Sequence, residues 1–99
     1  DLCLYPRGGL SSDWLTDEDE VRVPPALVIE ILCPKQNLQP LVDKIREYGQ
    51  RGVNSCWLVE PATRVVSVFP ASGGSRAFAE GTLRDDATGI EVPITRIFA

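Results

Sequence analysis

Apolar residues recur in four segments of the chain with the spacing or continuity that predicts β-strands. The strongest segment is the continuous apolar run around Leu27 to Leu32, which is typical of a strand buried on both faces. The other three are shorter and end at Pro, Gly or other turn residues: 2–6, 55–59 and 64–69. A short turn joins the last two, so they are predicted to form a β-hairpin.

One helix is predicted between the second and third strands. Its apolar positions are spaced three, four and seven residues apart, as one buried helical stripe requires. These positions are Leu41, Val42, Ile45 and Tyr48. Pro40 suits the first helical position and Gly52 marks the end, which gives a helix over 40–51. Lys44 lies at the border of the stripe and is expected to point partly inward.

The remaining segments are less regular. Residues 10–23 predict a loop or a short helical turn, and the acidic run at 17–20 within it reads as a solvated surface. Residues 76–83 predict a weaker strand, and 90–98 a short apolar closing segment. Together the segments predict one α/β domain over residues 1–99, with a mixed sheet packed on a helix.

Composition narrows the class of protein. The 99 residues are 43% hydrophobic and 24% charged, which is typical of a single soluble domain with its own core. The longest apolar stretch is interrupted by Glu30 and is too short for a membrane span. The N-terminus lacks the features of a signal peptide, so the expected location is the cytoplasm and no membrane partner is expected.

Cysteine and histidine usage narrows the chemistry. Cys3, Cys33 and Cys56 each stand in an apolar, strand-like context, so all three are predicted to be buried thiols in a reducing compartment. The absence of histidine excludes His-based triads, Cys–His dyads and zinc sites with imidazole ligands. The net charge of -4 argues against a broadly basic surface for nucleic acid, but it permits a small basic groove.

Glu30 is the unusual residue of the strongest strand, because it shares a face with Val28 and Leu32. A carboxylate buried there is costly unless it is paired, hydrogen-bonded or bound to a metal. One interpretation is a salt bridge to a nearby arginine. The other is a metal site, because Asp1 heads the first strand and two carboxylates from adjacent strands suit Mg²⁺.

Lys44 adds a positive charge to this pair of carboxylates. Beside a metal-bound water, a lysine can orient or deprotonate the nucleophile and can stabilise charge that develops on a phosphate. By itself this set of two acids and a lysine has low specificity, since many α/β domains contain one.

A longer motif makes the set more specific. Its residues are Pro25, Leu27, Glu30, Pro34, Lys44, Tyr48, Gly52, Val53, Trp57, Glu60 and Pro61. In kind and spacing they resemble the bacterial putative restriction endonuclease family, which belongs to the PD-(D/E)XK nuclease superfamily. The match covers most of residues 21–99, and the segment 90–98 resembles the C-terminal part of the family.

The resemblance implies a restriction-endonuclease-like fold and a metal-dependent nuclease. Asp1 and Glu30 would hold Mg²⁺, and Lys44 would be a catalytic lysine that has moved from the strand to the helix. Leu32 stands where the simple superfamily pattern has its lysine. Lys35 is a candidate for phosphate binding, and Tyr48 would either orient a phosphate or pack. The implied partner is nucleic acid, most simply DNA, and a homodimer is expected by analogy.

Two departures keep a second hypothesis open. Ala26 stands where the family usually has aspartate. Family members also carry a further helix and strand before the position of Asp1, so the chain is interpreted as the C-terminal part of a longer domain. The alternative is a non-catalytic interaction module or inactive fragment of the same fold, in which Glu30 and Lys44 form an ion pair that fixes helix against strand.

Overall fold

The computed structural model describes residues 24–99 and the backbone of residues 2–4. The elements in chain order are β1 (Leu2–Leu4), β2 (Leu27–Ile31), α1 (Leu38–Gln50), β3 (Ser55–Glu60), β4 (Val65–Pro70), β5 (Arg76–Phe78), β6 (Thr82–Asp85), β7 (Ile90–Pro93) and α2 (Ile94–Ile97). In the described ranges, neither helix has the length and apolar character needed to cross a membrane.

Strands β1 to β5 form a five-stranded mixed sheet in the order β1-β2-β3-β4-β5. Strand β2 runs parallel to β3, because α1 carries the chain back across the sheet between them. The other neighbouring pairs are antiparallel, and a short turn joins β3 to β4. The predicted mixed sheet packed on a helix and the predicted hairpin are therefore confirmed.

Helix α1 begins two residues earlier than predicted. Asn37 is its N-cap, and the side chain of Asn37 accepts a hydrogen bond of 3.2 Å from the Gln39 amide. Pro40 is thus the third helical residue, where its missing amide is still one of the first four that lack a helical partner. The helix ends before Gly52, whose φ of 95° is a conformation that glycine adopts without strain.

Two cores lie on opposite faces of the sheet, because side chains alternate along each strand. We call the side covered by α1 the helix face; its buried residues are Val28, Leu41, Ile45, Val53, Cys56 and Leu58. We call the other side the hairpin face, since the β6–β7 hairpin and α2 cover it; its buried residues are Leu27, Trp57, Val59, Val66, Val68, Leu83 and Ile94. Burial of each large side chain contributes about 1.5–3 kcal/mol.

The C-terminal third differs from the prediction. The single strand expected at 76–83 is two strands, because Gly81 at φ 72° interrupts the run. Strand β6 leaves the main sheet and pairs with β7 instead. The apolar segment expected at 90–98 contains β7 and the single-turn helix α2, whose Ile94 is buried on the hairpin face.

The prediction of buried cysteines is confirmed for one cysteine and wrong for another. Cys56 is buried in the helix-face core, as predicted. Cys33 is exposed, which contradicts the prediction of a buried thiol. The reason is that β2 ends at Ile31, so Cys33 belongs to the turn that leads into α1. The side chain of Cys3 lies outside the described residues.

Candidate active site

Glu30 lies near the C-terminal end of β2, on the helix face. It is 1% exposed, and its backbone lies opposite Leu58 of β3 in the parallel register. Burial of an ionised carboxylate among apolar side chains requires compensating partners. The structure supplies those partners from α1.

Two side chains of α1 approach the same oxygen of Glu30. The Lys44 Nζ atom lies 2.9 Å from Oε1, and the Tyr48 hydroxyl donates to Oε1 over 3.4 Å. Lys44 and Tyr48 are four residues apart, so they lie on one side of the helix, one turn from each other. The structure therefore brings Glu30, Lys44 and Tyr48 together.

The second carboxylate oxygen of Glu30 is different. It is buried, and no donor in the described part of the chain is hydrogen-bonded to it. We call this atom, Oε2, the open oxygen. Most buried polar side-chain atoms in proteins have a hydrogen-bond partner, so an exception calls for a specific explanation.

The charge of Glu30 acts on Lys44. The hydrogen bond from Lys44 to Glu30, followed by the negative charge of Glu30 and a smaller contribution of Tyr48, raises the pKa of the Lys44 ammonium above 10.5. The Lys44 side chain is 49% exposed, so its charged end also faces solvent. Lys44 is therefore a protonated cation at neutral pH, with one side towards Glu30 and the other accessible.

The other predicted site residues are less closely placed. Lys35 is exposed in the turn between β2 and α1, which a Gln36 amide to Cys33 carbonyl hydrogen bond of 2.9 Å closes. Because this turn directly follows β2, Lys35 lies at the same end of the strand as Glu30. Asp1 lies outside the described residues. Strand β1 begins at the next residue, Leu2, which is paired with Ile29 of β2.

A second buried carboxylate was not anticipated from the sequence. Asp85, at the end of β6, is 2% exposed on the hairpin side. The Trp57 indole donates to its Oδ2 over 2.8 Å, and the Ala87 amide donates to Oδ1 over 3.1 Å. The Asp-to-amide bond is a common turn pattern that a sequence can suggest, but nothing local in the sequence indicates burial against Trp57.

The residues present fit a divalent cation in part. The described residues contain no group of three or more Asp, Glu, Cys or His side chains arranged to hold a metal ion. Glu30 nevertheless offers a carboxylate oxygen, the ligand type that Mg²⁺ prefers, and Mg²⁺ commonly needs only one or two protein carboxylates. Glu30 can thus supply one ligand, and a second carboxylate would come from beyond the described set.

Comparison with known proteins agrees with this architecture. The family model Uma2, described as a putative restriction endonuclease, matches residues 1–93. A crystal structure described as a putative nuclease belonging to DUF820, from Anabaena variabilis ATCC 29413, has a TM-score of 0.65 at 24% identity. The match covers 75% of this chain and 44% of that chain, so this chain spans less than half of its relative. No curated protein matches.

Proposed function

The chain belongs to the Uma2 family of putative restriction endonucleases, and from this premise we propose that it hydrolyses phosphodiester bonds of DNA with the help of Mg²⁺. One observation carries the proposal: the Lys44 ammonium contacts Oε1 of Glu30, while Oε2 of the same carboxylate, the open oxygen, has no donor among the described residues. This arrangement offers a negative ligand atom for a cation and, beside it, a positive charge for a phosphate.

Glu30 is the proposed cation ligand. A buried carboxylate whose only role is to hold α1 against β2 is best stabilised when both of its oxygens accept hydrogen bonds. An unsatisfied buried acceptor costs about 1–3 kcal/mol. A cation at the open oxygen would remove that cost. When bound, the cation supplies a Lewis acid that promotes deprotonation of water and offsets charge on the phosphate.

Lys44 is the proposed stabiliser of phosphate charge. Contact with Glu30 keeps the proton on Nζ, which favours this role over removal of a proton from water. Its accessible side can approach a phosphate oxygen that gains charge during hydrolysis. Because the Lys44 ammonium is already in position, it can stabilise that charge without reorganisation during the reaction.

Asp1 and Lys35 complete the proposed site. The register of β1 supports Asp1 as the second carboxylate, since the adjacent Leu2 is paired with the residue that precedes Glu30. Exposed Lys35 is proposed to contact the phosphate backbone, which positions DNA without reading its sequence. A homodimer would present two such sites to the two strands of a duplex, and sedimentation analysis would measure it.

The second candidate function is an interaction module without catalysis. The 2.9 Å ion pair between Glu30 and Lys44 favours it, because such a pair joins α1 to β2 whether or not a cation binds. The two candidates differ in what Glu30 must do. Only the nuclease needs the open oxygen for a ligand.

A cleavage assay tests the proposal. Plasmid DNA is incubated with the wild type, Glu30→Gln, Lys44→Ala and Glu47→Gln, each with Mg²⁺ and with chelator. Glu47 is the matched control, because it is a carboxylate of α1 in an exposed ion pair with Arg51. We expect Mg²⁺-dependent cleavage by the wild type and Glu47→Gln, loss in Glu30→Gln, and turnover lowered about 100-fold in Lys44→Ala.

The two functions give different results in this assay. Cleavage by Glu30→Gln at the wild-type rate would remove Glu30 from the mechanism. If the wild type neither cleaves DNA nor binds it at low salt, the interaction module replaces the nuclease. If a longer family member cleaves and this chain does not, the activity requires the additional part of that protein.

A further inference from the structure

Tyr48 holds a position that packing alone does not explain. Its ring packs against the helix-face core, while its hydroxyl donates to Glu30 Oε1 over 3.4 Å. The same oxygen already has Lys44 at 2.9 Å. Two donors from one helix therefore converge on one carboxylate oxygen, while the open oxygen has no donor among the described residues.

The two donors differ in how firmly they are placed. Lys44 has a flexible stem, its side chain is half exposed, and an ammonium is a point charge that does not define the plane of a carboxylate. Tyr48 has a rigid ring with few rotatable bonds, and core packing fixes that ring. The hydroxyl is consequently the donor whose position the fold determines more tightly.

The two donors also differ in charge. A second lysine or arginine at this position would add a positive charge close to the proposed cation and would oppose its binding. A neutral hydroxyl holds Oε1 without that repulsion. Tyr48 therefore adds a second donor to Oε1 without adding to the positive charge that Lys44 already brings to Glu30.

We infer that Tyr48 is a positioning residue, which together with Lys44 holds Oε1 of Glu30 so that Oε2 is presented to the divalent cation. The inference rests on the proposed function. It replaces direct phosphate binding by Tyr48 with an action through Glu30. Hydrogen-bond partners of metal-binding carboxylates typically contribute 10-fold to 100-fold in metal affinity, and the long bond here places the expected effect near about 10-fold.

Direct titration with Mn²⁺, a spectroscopic substitute for Mg²⁺, provides the first test. We expect Tyr48→Phe to raise the Mn²⁺ dissociation constant about 10-fold while it retains the fold, because phenylalanine keeps the ring. Tyr48→Leu, which loses ring and hydroxyl, separates the two contributions. If packing alone matters, Tyr48→Phe matches the wild type and only Tyr48→Leu lowers the thermal midpoint.

A second measurement needs no metal. The chain contains two tyrosines, so a protein labelled with ¹³C at tyrosine Cζ gives two signals, and Tyr48→Phe assigns them. We expect Glu30→Gln to shift the Tyr48 signal, because the hydroxyl loses its charged acceptor. Glu47→Gln, which changes a carboxylate on the same helix, should leave the Tyr48 signal in place.

The outcomes separate this inference from the proposed function. If Glu30→Gln binds Mn²⁺ as tightly as the wild type, the proposed cation site fails and the role of Tyr48 fails with it. If Glu30→Gln loses Mn²⁺ but Tyr48→Phe binds it with wild-type affinity, the cation site stands and the positioning role is overturned. A Tyr48 signal that stays in place in Glu30→Gln would also overturn the positioning role, because it would show that the hydroxyl does not contact Glu30. Comparison of the wild type with Tyr48→Phe does not depend on whether Glu30→Gln folds.

Discussion

Two buried carboxylates on opposite sides of one sheet illustrate two uses of the same chemical group. Asp85 is 2% exposed, and its two oxygens accept from the Trp57 indole and the Ala87 amide. Glu30 is 1% exposed, yet Lys44 and Tyr48 both contact a single one of its oxygens, Oε1. The two carboxylates are buried to nearly the same extent, but their hydrogen-bond donors are distributed differently over the two oxygens.

This difference separates a structural carboxylate from a candidate functional one. The partners of Asp85 are a buried indole and a turn amide, neither of which can turn to solvent without disrupting the hairpin face. The charged partner of Glu30 is half exposed and can reach other groups. Burial alone therefore identifies neither role. The placement of donors on each oxygen is the more informative observation.

The largest expected effect concerns cation affinity. Glu30→Gln should weaken Mg²⁺ binding at least about 100-fold, since even partners of metal ligands contribute 10-fold to 100-fold. Asp85→Asn should bind Mg²⁺ like the wild type, because both Asp85 oxygens already have donors. Isothermal titration calorimetry measures both affinities. Equal Mg²⁺ affinities of the wild type and Glu30→Gln would contradict the proposal that Glu30, unlike Asp85, is a cation ligand.

For the free energy of unfolding, substitution of Asp85 should have a larger effect than substitution of Glu30. Asp85→Ala removes two hydrogen bonds and leaves the indole of buried Trp57 without its acceptor, which should lower the free energy of unfolding by about 2–3 kcal/mol. Glu30→Gln should change it by less than about 1 kcal/mol, because Lys44 can turn to solvent. Urea unfolding followed by tryptophan fluorescence measures both. A larger loss for Glu30→Gln would identify Glu30 as the structural group.

The surfaces near Glu30 and near Asp85 should also differ in their contribution to DNA affinity. Lys35→Glu should lower the affinity at low salt and reduce the slope of log affinity against log salt by about 1 or more. Arg84→Glu is the control, because Arg84 is exposed next to Asp85 and paired with Glu91. Fluorescence anisotropy over a salt series measures these slopes. An equal loss in both variants would indicate diffuse electrostatic binding without a preferred side.

The smallest expected effect is a pH dependence. Contact with Glu30 raises the pKa of Lys44 above 10.5, so the folded state holds this proton more tightly than the unfolded state does. The resulting stabilisation is present below pH 10.5 and is lost as pH rises through the higher pKa of the folded state. Glu30→Gln should lack this contribution, and urea unfolding at several alkaline pH values measures it. A parallel decline in both proteins would contradict it.

The sequence predicted the fold where local pattern and tertiary contacts agree. The apolar run of β2 and the helical stripe of α1 were located to within two residues, because burial imposes those periodicities. Helix α1 starts at Leu38 and not at the predicted Pro40, because the side chain of Asn37 caps the helix two residues earlier than the proline pattern indicates. The division of 76–83 depends on Gly81, whose φ of 72° is not fixed by the type of residue alone.

The candidate site was predictable only in outline. A lone acid in an apolar strand identified Glu30, and helical spacing directed Lys44 inward. The convergence of Lys44 and Tyr48 on one oxygen depends on how α1 sits against β2, which no local pattern encodes. The burial of Asp85 likewise depends on the hairpin packing against Trp57, far away in sequence.

The parallel pairing of β2 with β3 has a consequence for the order of folding. Strands β3 and β4 are joined by a short turn, so their hairpin closes a small loop and can form early. Strand β2 reaches β3 only after the connecting segment with α1 is in place, and pairing across such a distance is intrinsically slow. Glu30, Lys44 and Tyr48 belong to those late elements. We therefore expect the site to assemble after the hairpin, as one of the last parts of the chain to reach its native arrangement.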